Sequence, residues 1–203
     1  MKYHLPSGDR NLIQILDAAL EDTTRKSKGG LVCRKGCTPC CIGVFAINQL
    51  DAARLQHGLA ELRSTHPERA EAVRRRARES VERLAPEFPG DPRTGLLGKT
   101  RKEQQRFEEF GNEESCPALD PIEGTCDLYE SRPMTCRVFG PPVRVEGGGL
   151  GVCELCYQGA SEQEIADCEI IPDPQNLEPR LTREVERRTG RRGETIIAFC
   201  LAA

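Results

Sequence analysis

Apolar side chains recur at helical spacing in four stretches of the chain. From Asp9 to about Lys26, Leu12, Ile15, Leu16, Ala19 and Leu20 share one helical face, with Asp9 placed to cap the start. A second stripe, Ala52, Leu55, Leu59 and Leu62, follows Asn48, which serves as its cap. A third helix begins at Pro67, a favourable first residue, and carries Ala70, Val73, Ala77, Val81 and Leu84 on one face. A fourth, Lys99 to Phe110, is highly charged and offers only Phe107 and Phe110 as anchors, so light packing is expected. Shorter signals lie between and beyond these. Val44 to Ile47 is a candidate strand, and Val143-Arg-Val145 and Leu150-Gly-Val152 around Gly147-Gly-Gly149 read as a hairpin. Ser161 with Glu164 has capping-box spacing for a helix to about Ala166, ended by Pro172 and Pro174. A last helix covers Glu178 to Arg188, and an apolar tail runs from Thr195 to Leu201. Gly29-Gly30 breaks the pattern early, and Pro86, Pro89, Gly90 and Pro92 open a loop reaching to about Gly98.

The pattern predicts a mainly α fold with irregular cysteine-rich loops and a small β-hairpin. We expect one domain over residues 1–203, with core blocks at 31–48 and 115–140, a helical spacer at 49–110 and a C-terminal extension at 141–203. Charge changes this picture little. The 29 basic and 32 acidic residues leave a net charge of −3, which calls for neither nucleic acid nor an anionic membrane. Arg74, Arg75, Arg76 and Arg78 form the one basic run, but Glu68, Glu71, Glu79 and Glu82 are interleaved as helical partners. No apolar run approaches the roughly 20 residues of a membrane span. The first nine residues hold no apolar block resembling a signal peptide, so a cytoplasmic location is expected.

Cysteine changes the picture most. There are eleven, an odd number, so complete pairing within one chain is impossible. In a reducing cytosol, clustered thiols serve more often as metal ligands or redox groups than as bridges. Cys33, Cys37, Cys40 and Cys41 fall within nine residues on a backbone loosened by Gly36 and Pro39, close enough to share a metal centre. The adjacent Cys40 and Cys41 are expected to point apart, so that only one binds a given ion. A second turn-rich segment carries Cys116, Cys126 and Cys136. His4, His57 and His66 are all remote from these loops, which leaves a thiolate-dominated site suited to zinc or iron–sulfur rather than to magnesium, calcium or manganese. Such a centre carries net negative charge, and Arg34, Lys35, Arg132 and Arg137 stand next to cysteines as candidate counter-charges, Arg132 and Arg137 above all. Cys153 and Cys156 form a further C-x2-C pair that could complete the first centre, form half of a second or act as a redox dithiol, with metal ligation favoured. Cys168 is unassigned, and Cys200 in the apolar tail reads as a buried thiol.

The run Cys33-x3-Cys37-x2-Cys40-Cys41, then Cys116-Pro-x-Leu, then Gly124-Thr-Cys126-Asp-Leu-Tyr129-x2-Arg132-Pro133-x2-Cys136-Arg137, resembles the YkgJ-like cysteine-cluster family of zinc- or iron-chelating proteins. The resemblance covers about residues 31–48 and 115–140. It implies metal binding through Cys33, Cys37, Cys40, Cys41, Cys116, Cys126 and Cys136, and supplies no reaction. The domain is also similar to part of flagellin lysine methylases, which hints at an enzyme context. The Cys33-x3-Cys37-x2-Cys40 spacing matches radical S-adenosylmethionine enzymes too. Pro39 where those enzymes place an aromatic, and the lack of βα alternation, argue against that reading. The favoured expectation is an iron–sulfur protein, with a [4Fe-4S] cluster, in a redox, sensing or accessory role. The alternatives are a zinc module that holds the loops for a protein partner, and a metal-dependent enzyme of methylase-associated type. No Ser-His-Asp set, phosphate loop or paired-carboxylate motif marks a catalytic residue.

Overall fold

The computed structural model describes residues 4–145 and 147–203; residues 1–3, at the head of the stretch read as lacking a signal peptide, lie outside them. In chain order the elements are helix α1 (Asp9–Lys26), a 3-10 turn at Pro39–Cys41, strand β1 (Ala46–Ile47), and helices α2 (Gln49–Thr65) and α3 (Pro67–Leu84). Strands β2 (Gly90–Asp91) and β3 (Leu96–Leu97) precede helix α4 (Arg101–Glu108). Strands β4 (Leu119–Asp120) and β5 (Thr125–Cys126) lead to a 3-10 turn at Tyr129–Ser131, helix α5 (Met134–Val138), and strands β6 (Val143–Arg144) and β7 (Leu150–Gly151). Helices α6 (Glu162–Ala166) and α7 (Leu177–Thr189), strand β8 (Thr195–Ile196) and helix α8 (Ile197–Ala202) follow. The strands pair only as short antiparallel ladders, β1 with β8, β2 with β3, β4 with β5 and β6 with β7. The fold is thus mainly α with minor β, as the hydrophobic pattern predicts.

Local chemistry accounts for most helix ends. The Asn48 side chain accepts hydrogen bonds from the N–H groups of Leu50 and Asp51, satisfying two donors that α2 would leave open. Thr100 with Glu103 and Ser161 with Glu164 close reciprocal capping boxes on α4 and α6. Thr100 as cap also moves the start of α4 beyond Lys99. At α1 the cap position belongs to Gly8 instead of Asp9. The N–H of Asp9 donates to the Pro6 carbonyl at 3.0 Å, so the chain is already turning and Asp9 is the first helical residue.

The chain divides into two compact units. One comprises Lys35–Pro133 and Val185–Ala203 with His4 and Leu5. Its core lies where α2, α3 and α8 pack together: Leu55, Leu59, Val73, Ala77, Ile197 and Leu201 are buried there, and Cys116 and Cys126 pack against the cluster. Each fully buried leucine contributes on the order of 1.5–3 kcal/mol of transfer free energy. The tail expected only to be apolar supplies both β8 and α8. Phe110, just past the end of α4, is buried beside Leu84 and Phe88, while α4 itself buries no residue, in keeping with the light packing that its charged composition predicts. The stretch expected as a loop, 86–98, folds as the β2–β3 hairpin, whose Gly90 has the Leu96 carbonyl where a side chain would stand.

The second unit comprises Pro6–Arg34 and Met134–Glu184. The buried Thr23 hydroxyl on α1 donates to the Cys168 carbonyl at 2.6 Å, and Arg137 on α5 pairs with Asp17 on α1 at 3.1 Å. A small cluster of Cys156, Tyr157 and Cys168 is covered by Leu31, Val152 and Ile165. Helix α5 falls inside the segment expected to be turn-rich.

Candidate metal centre

The two cysteine segments meet in the first unit through a backbone stitch. The Cys116 N–H donates to the Cys41 carbonyl at 2.7 Å, the Gly43 N–H donates to Glu114 at 2.9 Å, and Ile42 bridges Ser115 in antiparallel fashion. The stitch places Cys116 against the Pro39–Cys41 turn. Cys126 arrives on β5, whose partner in register on β4 is Leu119, and the Asp127 N–H continues the ladder to the Ala118 carbonyl at 2.8 Å.

Cys40, Cys41, Cys116 and Cys126 are free thiols; Cys40 is within electrostatic reach of the other three, and Cys116 of Cys126. Cys40 shares a hydrogen bond with Cys41, and that bond, followed by burial, pushes the Cys40 thiol well above its ordinary range. The expectation that the doublet points apart is therefore corrected: the tight 3-10 turn curls the two thiols into contact. Burial raises Cys116 to about 12, opposed by the N–H groups of Ala118 and Leu119, which point at its sulfur. Burial also raises Cys126, against the N–H of Leu128 and the charge of Arg132. Arg132 acts on both Cys40 and Cys126. Its guanidinium lies 3.7 Å from the centroid of the Tyr129 ring and donates to the Tyr129 carbonyl at 3.0 Å, while Lys35 approaches the same ring at 5.8 Å. Cys37 lies on the same loop as Cys40.

The remaining predicted residues stand elsewhere. Cys33, Cys136, Arg137, Cys153 and Cys156 belong to the second unit. Arg137 is buried against Asp17, and Arg34 is exposed and donates to the Val32 carbonyl. Cys168 and Cys200 are both buried, and the Cys200 thiol donates to the Ala52 carbonyl at 3.4 Å. Among the described residues no three His, Cys, Asp or Glu side chains are drawn together at metal-ligand spacing.

Sequence reasoning passed over the clamp that holds the β5 end of the site. Asp127, next to Cys126, receives the Arg69 Nε–H at 3.0 Å on one oxygen and an Arg76 N–H at 2.7 Å on the other. Arg76 also donates to the Pro117 carbonyl at 2.9 Å, beside Cys116. It passed over Gly58 as well. A Cβ there would stand 2.2 Å from Ser131 Oγ, so the bare backbone is what lets the Tyr129–Ser131 turn dock on α2.

A soft donor set, sulfur-directed backbone N–H groups and a neighbouring guanidinium suit thiolate-bound metal. A mainly α protein that brings thiols from distant segments to one stitched turn is, as a class, a cysteine-cluster metal-binding protein. Residues 32–148 match the model of the CxxCxxCC family, described as a "putative zinc- or iron-chelating domain", and the chain belongs to that family. No curated protein and no solved structure matches it. Among the described residues no helix is long and apolar enough to cross a membrane.

Proposed function

We propose that the protein holds an iron–sulfur cluster through Cys40, Cys41, Cys116 and Cys126, with Arg132 as the counter-charge, and that it serves a redox, sensing or accessory role. The observation that carries this reading is the stitch between Cys41 and Cys116, which assembles thiols from both halves of the cysteine pattern beside one guanidinium. An all-thiolate donor set with no histidine nearby is the kind of ligation that iron–sulfur clusters use. The cluster, when bound, supplies one-electron chemistry. The chain's own residues supply the thiolates, N–H donors to sulfur and a cation fixed on an aromatic face.

Anaerobic purification followed by metal and sulfide analysis tests the proposal. A brown protein with stoichiometric iron and sulfide supports it. A colourless protein with stoichiometric zinc refutes the cluster and leaves the zinc interaction module. Cys116→Ser and Cys126→Ser lose metal, whereas Cys200→Ser retains it; equal metal in all three would sink the ligand assignment.

A further inference from the structure

The second unit gathers thiols of its own. The Cys156 N–H donates to the Cys153 carbonyl at 2.9 Å, closing the C-x2-C turn, and the two thiols share a hydrogen bond. The backbone N–H groups of Val32 and Cys33 are directed at the Cys156 sulfur, which is 5% exposed. Gly140 fixes the third member. A Cβ at Gly140 would lie 2.5 Å from Cys33 Cβ and 3.1 Å from its Sγ, and the Gly140 carbonyl accepts the Cys153 N–H at 3.4 Å. Gly140 therefore lies against the Cys33 side chain and the Cys153 backbone at once, while the Cys33 backbone reaches Cys156. Burial against Tyr157 and Val152 on one side and an exposed Cys33 on the other leave the triad open to an ion arriving from solvent.

We propose that Cys33, Cys153 and Cys156 form a second, separate binding site for a thiophilic divalent cation. Two of the three thiols lie beyond the family segment 32–148, so the family match does not assign the site. The chemistry follows from the same features as in other thiolate sites. Soft sulfur donors select zinc-like ions, N–H···S bonds stabilise the thiolates, and the ion takes the place of the thiol protons of Cys33, Cys153 and Cys156, which are released to solvent. The backbone holds the thiols near one another short of ligand spacing, and the ion completes the closure. This site does not depend on which metal the first unit holds.

The test is a peptide-resolved footprint on the full chain, using zinc(II) alone as probe. The metal-free protein and protein with excess zinc are pulsed with N-ethylmaleimide, and the labelling rate of each cysteine is read by mass spectrometry. Zinc is expected to slow labelling of Cys33 and Cys153 together by at least about tenfold. In Gly140→Ala, where the added methyl displaces Cys33, protection of Cys33 is expected to fall while protection of Cys116 and Cys126 is unchanged. Those two cysteines report on the first site independently, so failure of one reading is visible apart from the other. Unchanged labelling of Cys33 and Cys153 under zinc, or recovery of Cys153 and Cys156 as a disulfide, overturns the proposal.

Discussion

The Asp127 side chain is 1% exposed yet fully ion-paired, held by Arg69 and Arg76 from α3. A buried carboxylate is tolerated only while its partners remain, so the two arginines differ in what their loss does. Arg76, 19% exposed, also holds the Pro117 carbonyl, whereas Arg69 is 48% exposed and holds Asp127 alone. We expect Asp127→Asn and Arg76→Ala each to destabilise the protein by about 1–3 kcal/mol, and Arg69→Ala by less, in urea unfolding. Equal losses for the two arginines would show that the Pro117 contact contributes nothing. Asp120 gives a pH prediction. The N–H groups of Glu123 and Ile122 hold its carboxyl below the ordinary value, and they form the turn between β4 and β5. A depressed carboxylate stabilises the fold above its unfolded value, about 3.9, and the contribution is lost as pH falls through the lower folded value. The amide resonance of Ile122 should therefore move on acidification with a midpoint below about 3.9; a midpoint at or above that value would contradict the turn. Residue roles of this local kind were legible in the sequence. Asn48 and the Ser161–Glu164 pair bind within three residues of themselves, so spacing reveals them. Asp127 was not legible, because its partners arrive from another element and no periodicity links them.

At the scale of elements, the long helices were readable because their stripes are continuous, and the short pieces around the site were not. Two-residue strands and a five-residue helix carry too little pattern to be distinguished from turns. What fixes them is contact with a helix, as at Gly58. Alanine there would raise the intrinsic helix propensity of α2 by about 1 kcal/mol. It would also drive a methyl into Ser131 and push the Tyr129–Ser131 turn away from α2. We expect the second effect to win, with Gly58→Ala destabilising by about 1–3 kcal/mol and lowering bound metal, since the same turn leads into Arg132. The double variant Gly58→Ala/Ser131→Gly removes the atoms in conflict and should recover most of the loss. A Gly58→Ala protein as stable as the parent would mean that the turn docks elsewhere. The doublet teaches a related lesson. Sequence adjacency predicted divergence, but the 3-10 turn of Pro39–Cys41 overrode it, and only a backbone in hand shows the sulfur of Cys40 meeting that of Cys41.

For the molecule as a whole, thiols and core stand in different relations to stability. The helices α2, α3 and α8 bury Leu55, Leu59, Val73 and Leu201 among themselves, and the thiols of Cys116 and Cys126 sit at the margin of that cluster. The loops that carry the thiols have only short ladders, and the Cys41–Cys116 stitch closes a loop containing α2, α3 and α4. A metal bridging those loops binds the folded state and stabilises it by mass action, about 4 kcal/mol when the free metal is a thousandfold above its dissociation constant. Removal of the metal by a chelator should therefore lower the melting temperature. It should leave the far-ultraviolet helical signal at 25 °C nearly unchanged, because the helical core is built from aliphatic contacts. Hydrogen exchange locates the change: amides at Cys116, Asp127 and Ser131 should lose protection on chelation, and amides within α2 and α3 should keep theirs. Loss of helix together with metal would instead mean that the thiol centre is the core on which the helices fold.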